Sequence, residues 1–451
     1  MSYNQFLINK QIVDPPAGLK EVPDLHPSLF HFQRDIVSWA LRRGRAAVFA
    51  GTGLGKTIME LSWGDAIIQA TGGRVLLLAP LAVAQQIHAE GHEKFNVRTH
   101  LTRDGSDLID GINVTNYEMM DRFDATDFEA VILDESSILK SMDGKTKTRL
   151  IEKWAGTPYR LAATATPAPN DFMELGNHAE FLGVMRQSEM LSTFFINDQS
   201  TTQKWRLKGH AEEEFWRWMA SWSVMLRHPR DLGYEDARYN LPDLRQHEHI
   251  IDTGAEEVAS TLSERQRAKK ATIAERVDRA AEITPRHLPM VWWCHLNDES
   301  AALADAIPGA VEVRGSDSEK EKERKLAAFS RGEILHLVTK PKICGFGMNW
   351  QHCAQTGFVG LNDSFEQVYQ AIRRFWRFGQ DRPVDVHFIA ADVEGSVLNN
   401  IKRKEAQADE MADQMVHHMA DLSAEMIQGA SRRMDPYEPD QEMTMPKWER
   451  S

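Results

Sequence analysis

Apolar residues in this chain fall into two recurring patterns. The first is a short unbroken run: Ala46–Ala50 (AAVFA), Val75–Ala79 (VLLLA), Val131–Leu133 (VIL) and Tyr159–Ala163 (YRLAA), then Val291–Cys294 (VWWC), Leu335–Thr339 (LHLVT), Phe358–Leu361 (FVGL) and Val384–Ile389 (VDVHFI). Unbroken runs of this length predict strands covered on both faces. The second pattern is helical spacing between the runs, as in Leu29–Leu41 and in IMELSWGDAIIQ after Thr57. Alternation of the two predicts an α/β fold with parallel sheets. The runs cluster in 46–163 and in 291–390, which predicts two α/β lobes in tandem. Between them, Leu175–Ala280 reads as a mostly helical insertion rich in Trp and Phe. The expected divisions are a lead-in at 1–28, lobe 1 at 29–175, the helical inter-lobe segment at 176–245, lobe 2 at 246–400 and a C-terminal helix and tail at 401–451.

Composition narrows the function classes. The 451 residues are 42% hydrophobic and 26% charged, enough for packed cores. No apolar stretch is long enough to span a membrane. The N-terminal sequence MSYNQFLINKQIVDPP has no basic start followed by an apolar run, and there are only three cysteines, Cys294, Cys344 and Cys353. A reducing, cytoplasmic setting is therefore expected. No C-x-x-C pair suggests zinc. With a net charge of −13, a polyanionic partner must meet a local basic groove.

Two segments carry candidate chemistry. Ala50–Thr57 (AGTGLGKT) follows a predicted strand and opens a predicted helix. The glycines Gly51, Gly53 and Gly55, with Thr52 and Leu54 between them, let backbone N–H groups curl around phosphate oxygens. Lys56 would reach the β and γ phosphates of ATP, and the Thr57 hydroxyl would hold Mg²⁺. The alternative is a glycine-rich turn with an incidental lysine. The second segment, VILDESS, places Asp134 and Glu135 at the carboxyl end of a strand, where open α/β sheets bind ligands. There Asp134 would hold Mg²⁺ and Glu135 would polarise the attacking water. A solvated acidic turn is the bland alternative.

Together AGTGLGKT, DESS and Leu161–Pro167 (LAATATP) resemble motifs I, II and III of superfamily 2 helicases. Gln370–Gln380 (QAIRRFWRFGQ) resembles motif VI of the Swi/Snf-type group of double-stranded DNA translocases. The upstream LFHFQRDIVSWAL resembles the adenine-reading Q motif, with Gln33 as its key residue. Met225-Leu226-Arg227, Asp231 and Leu241-Pro242 echo the group's inter-lobe segment only in part, since His228 and Asp231 replace the usual arginine and lysine. TKPKICGFGMNW is a looser motif V, fitted by Gly345, Gly347 and Asn349.

The resemblance implies two RecA-like lobes closing on ATP and Mg²⁺. It casts Lys56, Asp134, Glu135, Arg374 and Arg377 as the catalytic set, and a helix at motif VI would aim both arginines into one cleft. Thr164, Thr166 and Gln370 would couple nucleotide to nucleic acid, with Pro80, Thr115, Asn116, Gly345 and Gly347 as its contacts. The implied partner is double-stranded DNA, with single-stranded DNA or RNA as alternatives. The compact size resembles small phage and prophage members of the group. A motor subunit of a larger restriction, recombination or replication complex, an ATP-switched DNA clamp, and an RNA helicase stay open. Lys340, Pro341 and Lys342 are either phosphate contacts or an ordinary basic turn. Trp216, Trp218 and Trp222 are expected as a packing face rather than a base-stacking platform. Met411, Met415 and Met419 are expected as a core-facing stripe on one or two helices over 394–430, and His417-His418 as surface.

Overall fold

The structure, a computed structural model, describes residues 16–140, 144–168, 171–197, 205–235, 237–252, 270–344, 349–360, 364–392 and 395–428. Two parallel sheets organise it. The first holds β1 (Arg45–Ala50), β2 (Val75–Ala79), β3 (Thr99–Leu101), β4 (Ile112–Asn116), β5 (Ala130–Asp134), β6 (Tyr159–Thr164) and β9 (Ser223–Leu226), in the order β3-β4-β2-β5-β6-β1-β9. A short antiparallel pair, β7 (Phe195–Asn197) and β8 (Trp205–Leu207), stands apart. The second sheet holds β10 (Leu244–Ile251), β11 (Met290–Cys294), β12 (Val311–Glu312), β13 (His336–Thr339), β14 (Gln355–Val359) and β15 (Val384–Ala391), in the order β10-β15-β14-β11-β13-β12.

The unbroken apolar runs are explained by two covered faces. In β1, Ala46, Val48 and Ala50 pack toward α1 (His31–Arg43), α2 (Lys56–Thr71) and α3 (Leu81–Glu93), while Ala47 and Phe49 pack on the opposite core. That is the two-residue alternation of a strand, with both sides apolar. Trp292 and Trp293 of β11 likewise enter opposite cores of the second sheet. Lobe 1 and lobe 2 are thus tandem α/β units, as the patterning predicts.

One feature departs from it, and two others bear out its expectations in detail. The inter-lobe segment is not only helical: Ser223–Leu226 pairs with β1 as the edge of the first sheet. The helix before it, α4 (Glu212–Trp222), buries Trp216, Trp218 and Trp222, so these rings are core and not a stacking platform. Finally, Gly395–Gln428 is one 34-residue helix, α5. It begins in the lobe 2 core at Val397, Leu398 and Ile401, and returns to the lobe 1 core at Met415 and Met419. Asp409 and Asp413 on this helix clasp Arg227, just after β9 in the inter-lobe segment, at 2.8 and 2.6 Å. His418 is half-buried, its ring stacked on Trp216 at 5.0 Å, while His417 is exposed. Among the described residues, no helix is long and apolar enough to cross a membrane.

Candidate active site

The loop after β1 is built for close backbone approach. Gly53 and Gly55 have φ of 87° and 79°, a region that side chains disfavour. Gly53 has a second constraint from the other lobe, since a Cβ there would lie 2.8 Å from the Phe378 amide nitrogen. Gly55 is the N-cap of α2, so the helix starts at Lys56 with free amide groups facing the loop. The Gly51 amide donates to Leu226 of β9 at 2.9 Å, which ties the loop to the inter-lobe segment. Lys56 Nζ donates to the Ala50 carbonyl at 3.1 Å, and Thr57 is half-buried beside it. Thr52 and Leu54 complete the loop, with Leu54 buried.

Gln33 is buried and doubly engaged. It accepts from the Phe30 amide at 2.9 Å and donates to the Leu54 carbonyl at 2.8 Å. It therefore braces the phosphate loop from α1. Phe30, Tyr239 and Phe378 gather next to it, with Tyr239 and Phe378 centroids 4.7 Å apart. A cavity of about 400 Å³ opens between the lobes, lined by Gly51–Leu54, Thr166, Tyr239, Arg373 and Phe378 among others. That is a ligand-sized volume.

At the end of β5, Asp134 is buried and accepts from the Glu135 amide at 2.9 Å. Glu135 has φ of 49°, a left-handed conformation that turns the chain sharply off the strand. The Thr164 hydroxyl donates to Glu135 Oε2 at 3.4 Å and accepts from the Thr166 amide at 3.2 Å. These contacts place the two threonines of TATP against the acidic strand end.

A third carboxyl completes this cluster. Glu60 lies one helical turn beyond Lys56 and is 1% exposed; among the described residues its carboxyl meets no hydrogen-bonding group other than the Asp134 carboxyl. It presses against Asp134. Burial, then the Asp134 charge, holds the Glu60 carboxyl well above the ordinary range. Burial and then Glu135 push Asp134 up to about 7, with Lys56 opposing. Sequence reasoning missed Glu60, although an acid inside the apolar run IMELSW was a usable signal.

The lobe 2 arginines differ from expectation. The helix Phe365–Ile372, between β14 and β15, stops before them, and residues 373–379 form turns.

 
Several local contacts end the helix there. The Arg374 carbonyl accepts from the Trp350 amide at 2.9 Å, and the Arg373 guanidinium sits between the Tyr369 and Trp376 rings, 4.9 and 4.4 Å from their centroids. The Gln380 amide then ties the turn to the carbonyls of Gln351, Cys353 and Phe375. The expected helix presenting both arginines on one face is thus replaced by a turn that sends them to different partners. Arg374 is buried and faces the charges of Glu135 and Asp134; burial and then Arg377 lower it to about 9. Arg377 donates to Asn349 Oδ1 instead, and burial lowers it while Glu90 opposes. Gln370 is buried on the preceding helix.

The residues expected to meet nucleic acid are only partly at the surface. Pro80 is the N-cap of α3 and half-buried. Thr115 and Asn116 end β4 and are 3% and 8% exposed. The Asn116 side chain accepts from the Met119 amide at 3.2 Å and so caps the following turn. Gly345 and Gly347 lie outside the described residues. Lys340 donates to Asn297 Oδ1 at 2.5 Å.

No protein-family model matches the chain, and no characterised protein matches it in sequence. Solved structures do. A SWI2/SNF2 ATPase core from Sulfolobus solfataricus, in complex with dsDNA, is 18% identical with a TM-score of 0.43, over 91% of this chain and 98% of that one. The Hef helicase domain of Pyrococcus furiosus is 13% identical with a TM-score of 0.50, over 84% of this chain and all of that one, 100%. The chain shares the fold of that helicase domain, two RecA-like α/β lobes in tandem.

Proposed function

We propose that the chain is an ATP-driven motor of the Swi/Snf-like superfamily 2 type that moves along double-stranded DNA. One observation carries this reading: the buried Arg374 of lobe 2 feels the charges of Asp134 and Glu135 of lobe 1, beside which Lys56 stands. Charge that accumulates on a transferring phosphoryl group is best met by cations from both sides. Lys56 would swing from the Ala50 carbonyl to the β and γ phosphates, and the loop amides would hold the remaining oxygens. Arg374 would neutralise charge in the transition state. Glu135, held by Thr164, would orient and deprotonate the attacking water.

The residues present fit a magnesium ion. Glu60, Asp134 and Glu135 bring three carboxyls together beside Lys56, and among the described residues Glu60 has only the Asp134 carboxyl as a partner. Thr57 and Asp134 would hold the ion, which when bound neutralises phosphate charge. Phe30, Tyr239 and Phe378 would take the adenine. Pro80, Thr115, Asn116, Gly345 and Gly347 would line the track for one strand, chiefly through backbone groups, so binding would be sequence-tolerant and salt-sensitive. Thr164, Thr166 and Gln370 would link that track to the cleft.

The test is the steady-state ATPase rate without nucleic acid and with single-stranded DNA, duplex DNA or RNA, for the wild type and Lys56→Ala. Duplex DNA should stimulate most, and Lys56→Ala should lose hydrolysis while melting as the wild type does. A wild type inert with every nucleic acid, or an unaffected Lys56→Ala, would overturn the proposal. Greatest stimulation by RNA would overturn the choice of partner.

A further inference from the structure

Arg377 is held by a chain of contacts that crosses the lobe boundary. Its guanidinium donates to Asn349 Oδ1, and the Asn349 amide nitrogen donates to Glu90 Oε1 at 3.1 Å. Glu90 belongs to α3 of lobe 1, whereas Asn349 and Arg377 belong to lobe 2. The same Glu90 oxygen accepts from Gln86 at 3.0 Å and from Lys94 at 2.9 Å, so the carboxylate is fixed from its own helix. Among the described residues the Arg377 Nε proton has no partner. Next to it, the backbone of Phe378 presses on Gly53 of the phosphate loop.

The polarity of the amide gives this chain a direction. A primary amide donates only from nitrogen and accepts only at oxygen. With a carboxylate on one side and a guanidinium on the other, only one orientation of Asn349 is favourable. Reversal would set NH₂ against the guanidinium and oxygen against the carboxylate. Glu90 therefore sets Asn349, and Asn349 sets Arg377. The other end of α3 starts at Pro80, with Leu81 57% exposed, at the proposed nucleic-acid track. The nine-residue separation of Leu81 and Glu90 spans about 14 Å of rigid helix.

We infer that Glu90 and Asn349 are positioning residues for Arg377, which link the helix behind the nucleic-acid track to closure of the cleft. This inference rests on the proposed reading of the chain as a nucleic-acid-stimulated ATPase. Contact at Pro80 that shifts α3 would move Glu90, and the amide would carry that movement to Arg377 and to the loop at Gly53.

The test is an exchange of polarity between the two lobes. Asn349→Asp sets a carboxylate against Glu90; adding Glu90→Gln gives that carboxylate an amide donor. Two readouts are taken on the full chain. One is kcat and KM for ATP with saturating duplex DNA. The other is the inter-lobe distance without nucleotide, from fluorophores at the exposed positions 110 and 331. Asn349→Asp alone should widen the distance and lower stimulated kcat about tenfold, the scale of a typical coupling, with little change in KM. The double variant should recover both. A double variant no better than Asn349→Asp, or an Asn349→Asp protein equal to wild type, would overturn the inference. Should the wild type hydrolyse no ATP, the functional reading fails, and the distance measurement alone decides the relay by the same criterion. Should Asn349→Asp not fold, Glu90→Ala and Glu90→Gln replace it: Ala should widen the lobes and Gln, which keeps the acceptor oxygen, should not. Equal distances in both would overturn the relay.

Discussion

Replacing Asp134 with Asn should stabilise the protein at alkaline pH while abolishing hydrolysis. In the folded chain the Asp134 carboxyl is raised from 3.8 to about 7, first by burial and then by Glu135. A group raised in the folded state stabilises fully below its unfolded value, and that contribution is lost as pH rises through the folded one. At about 1.4 kcal/mol per pH unit, keeping Asp134 ionised at pH 8 costs the folded state about 4 kcal/mol. Glu60 shares the same buried space, so relief of one carboxyl alone should recover about half of this, about 2 kcal/mol. For a lobe of this size that corresponds to about 4–8 °C in Tm. The assay is thermal unfolding of wild type and Asp134→Asn at pH 5.5 and 8, without nucleotide or divalent metal. The gain should appear at pH 8 and shrink at pH 5.5, where the wild-type carboxyl is itself neutral. An equal shift at both pH values, or a loss at pH 8, would refute the account of a strained acidic site.

Two further predictions follow from side-chain placement. Arg374→Ala should lower duplex-stimulated kcat by about 10³-fold or more with a smaller effect on nucleotide affinity, because this arginine faces Asp134 and Glu135. Lysine should rescue it poorly, and near-normal turnover in steady-state assays of either variant would remove Arg374 from the cleft chemistry. In lobe 2, Arg276 and Glu299 form a wholly buried ion pair at 2.7 Å, and Glu299 also accepts from the amides of His295 and Leu296 at 3.1 and 2.8 Å. Glu299→Ala should cost about 3–5 kcal/mol by stranding the guanidinium, read from urea unfolding followed by Trp292 and Trp293 fluorescence; a loss below about 1 kcal/mol would contradict it.

Much of the architecture was legible because buried parallel strands advertise themselves. VLLLA and AAVFA are apolar on both faces, and no polar alternation obscures them. The strands that escaped notice are those whose surroundings permit polar residues. Leu244–Ile251 (LRQHEHII) is an edge strand, half in solvent, so its sequence reads as ordinary surface. Ile112–Asn116 (INVTN) is buried, yet its Asn113 is satisfied by Ile109 and Gly111 carbonyls, a pairing invisible before folding.

The candidate site divides along the same line. Local backbone chemistry determined the phosphate loop and the acidic strand end: glycines that tolerate positive φ, a helix that begins at Lys56, and carboxylates at a strand terminus. These depend on neighbours in sequence, so the sequence alone suffices to find them. Tertiary structure decided everything that depends on the approach of distant segments. It ended the motif VI helix before Arg374, because Trp350 and Gln380 claim the backbone groups that a further turn would use. It sent Arg374 to the carboxylates and Arg377 to Asn349, and it buried Glu60 against Asp134. Charges shift and pair according to separation in space and exclusion of water, and neither quantity is written in the order of residues along a chain.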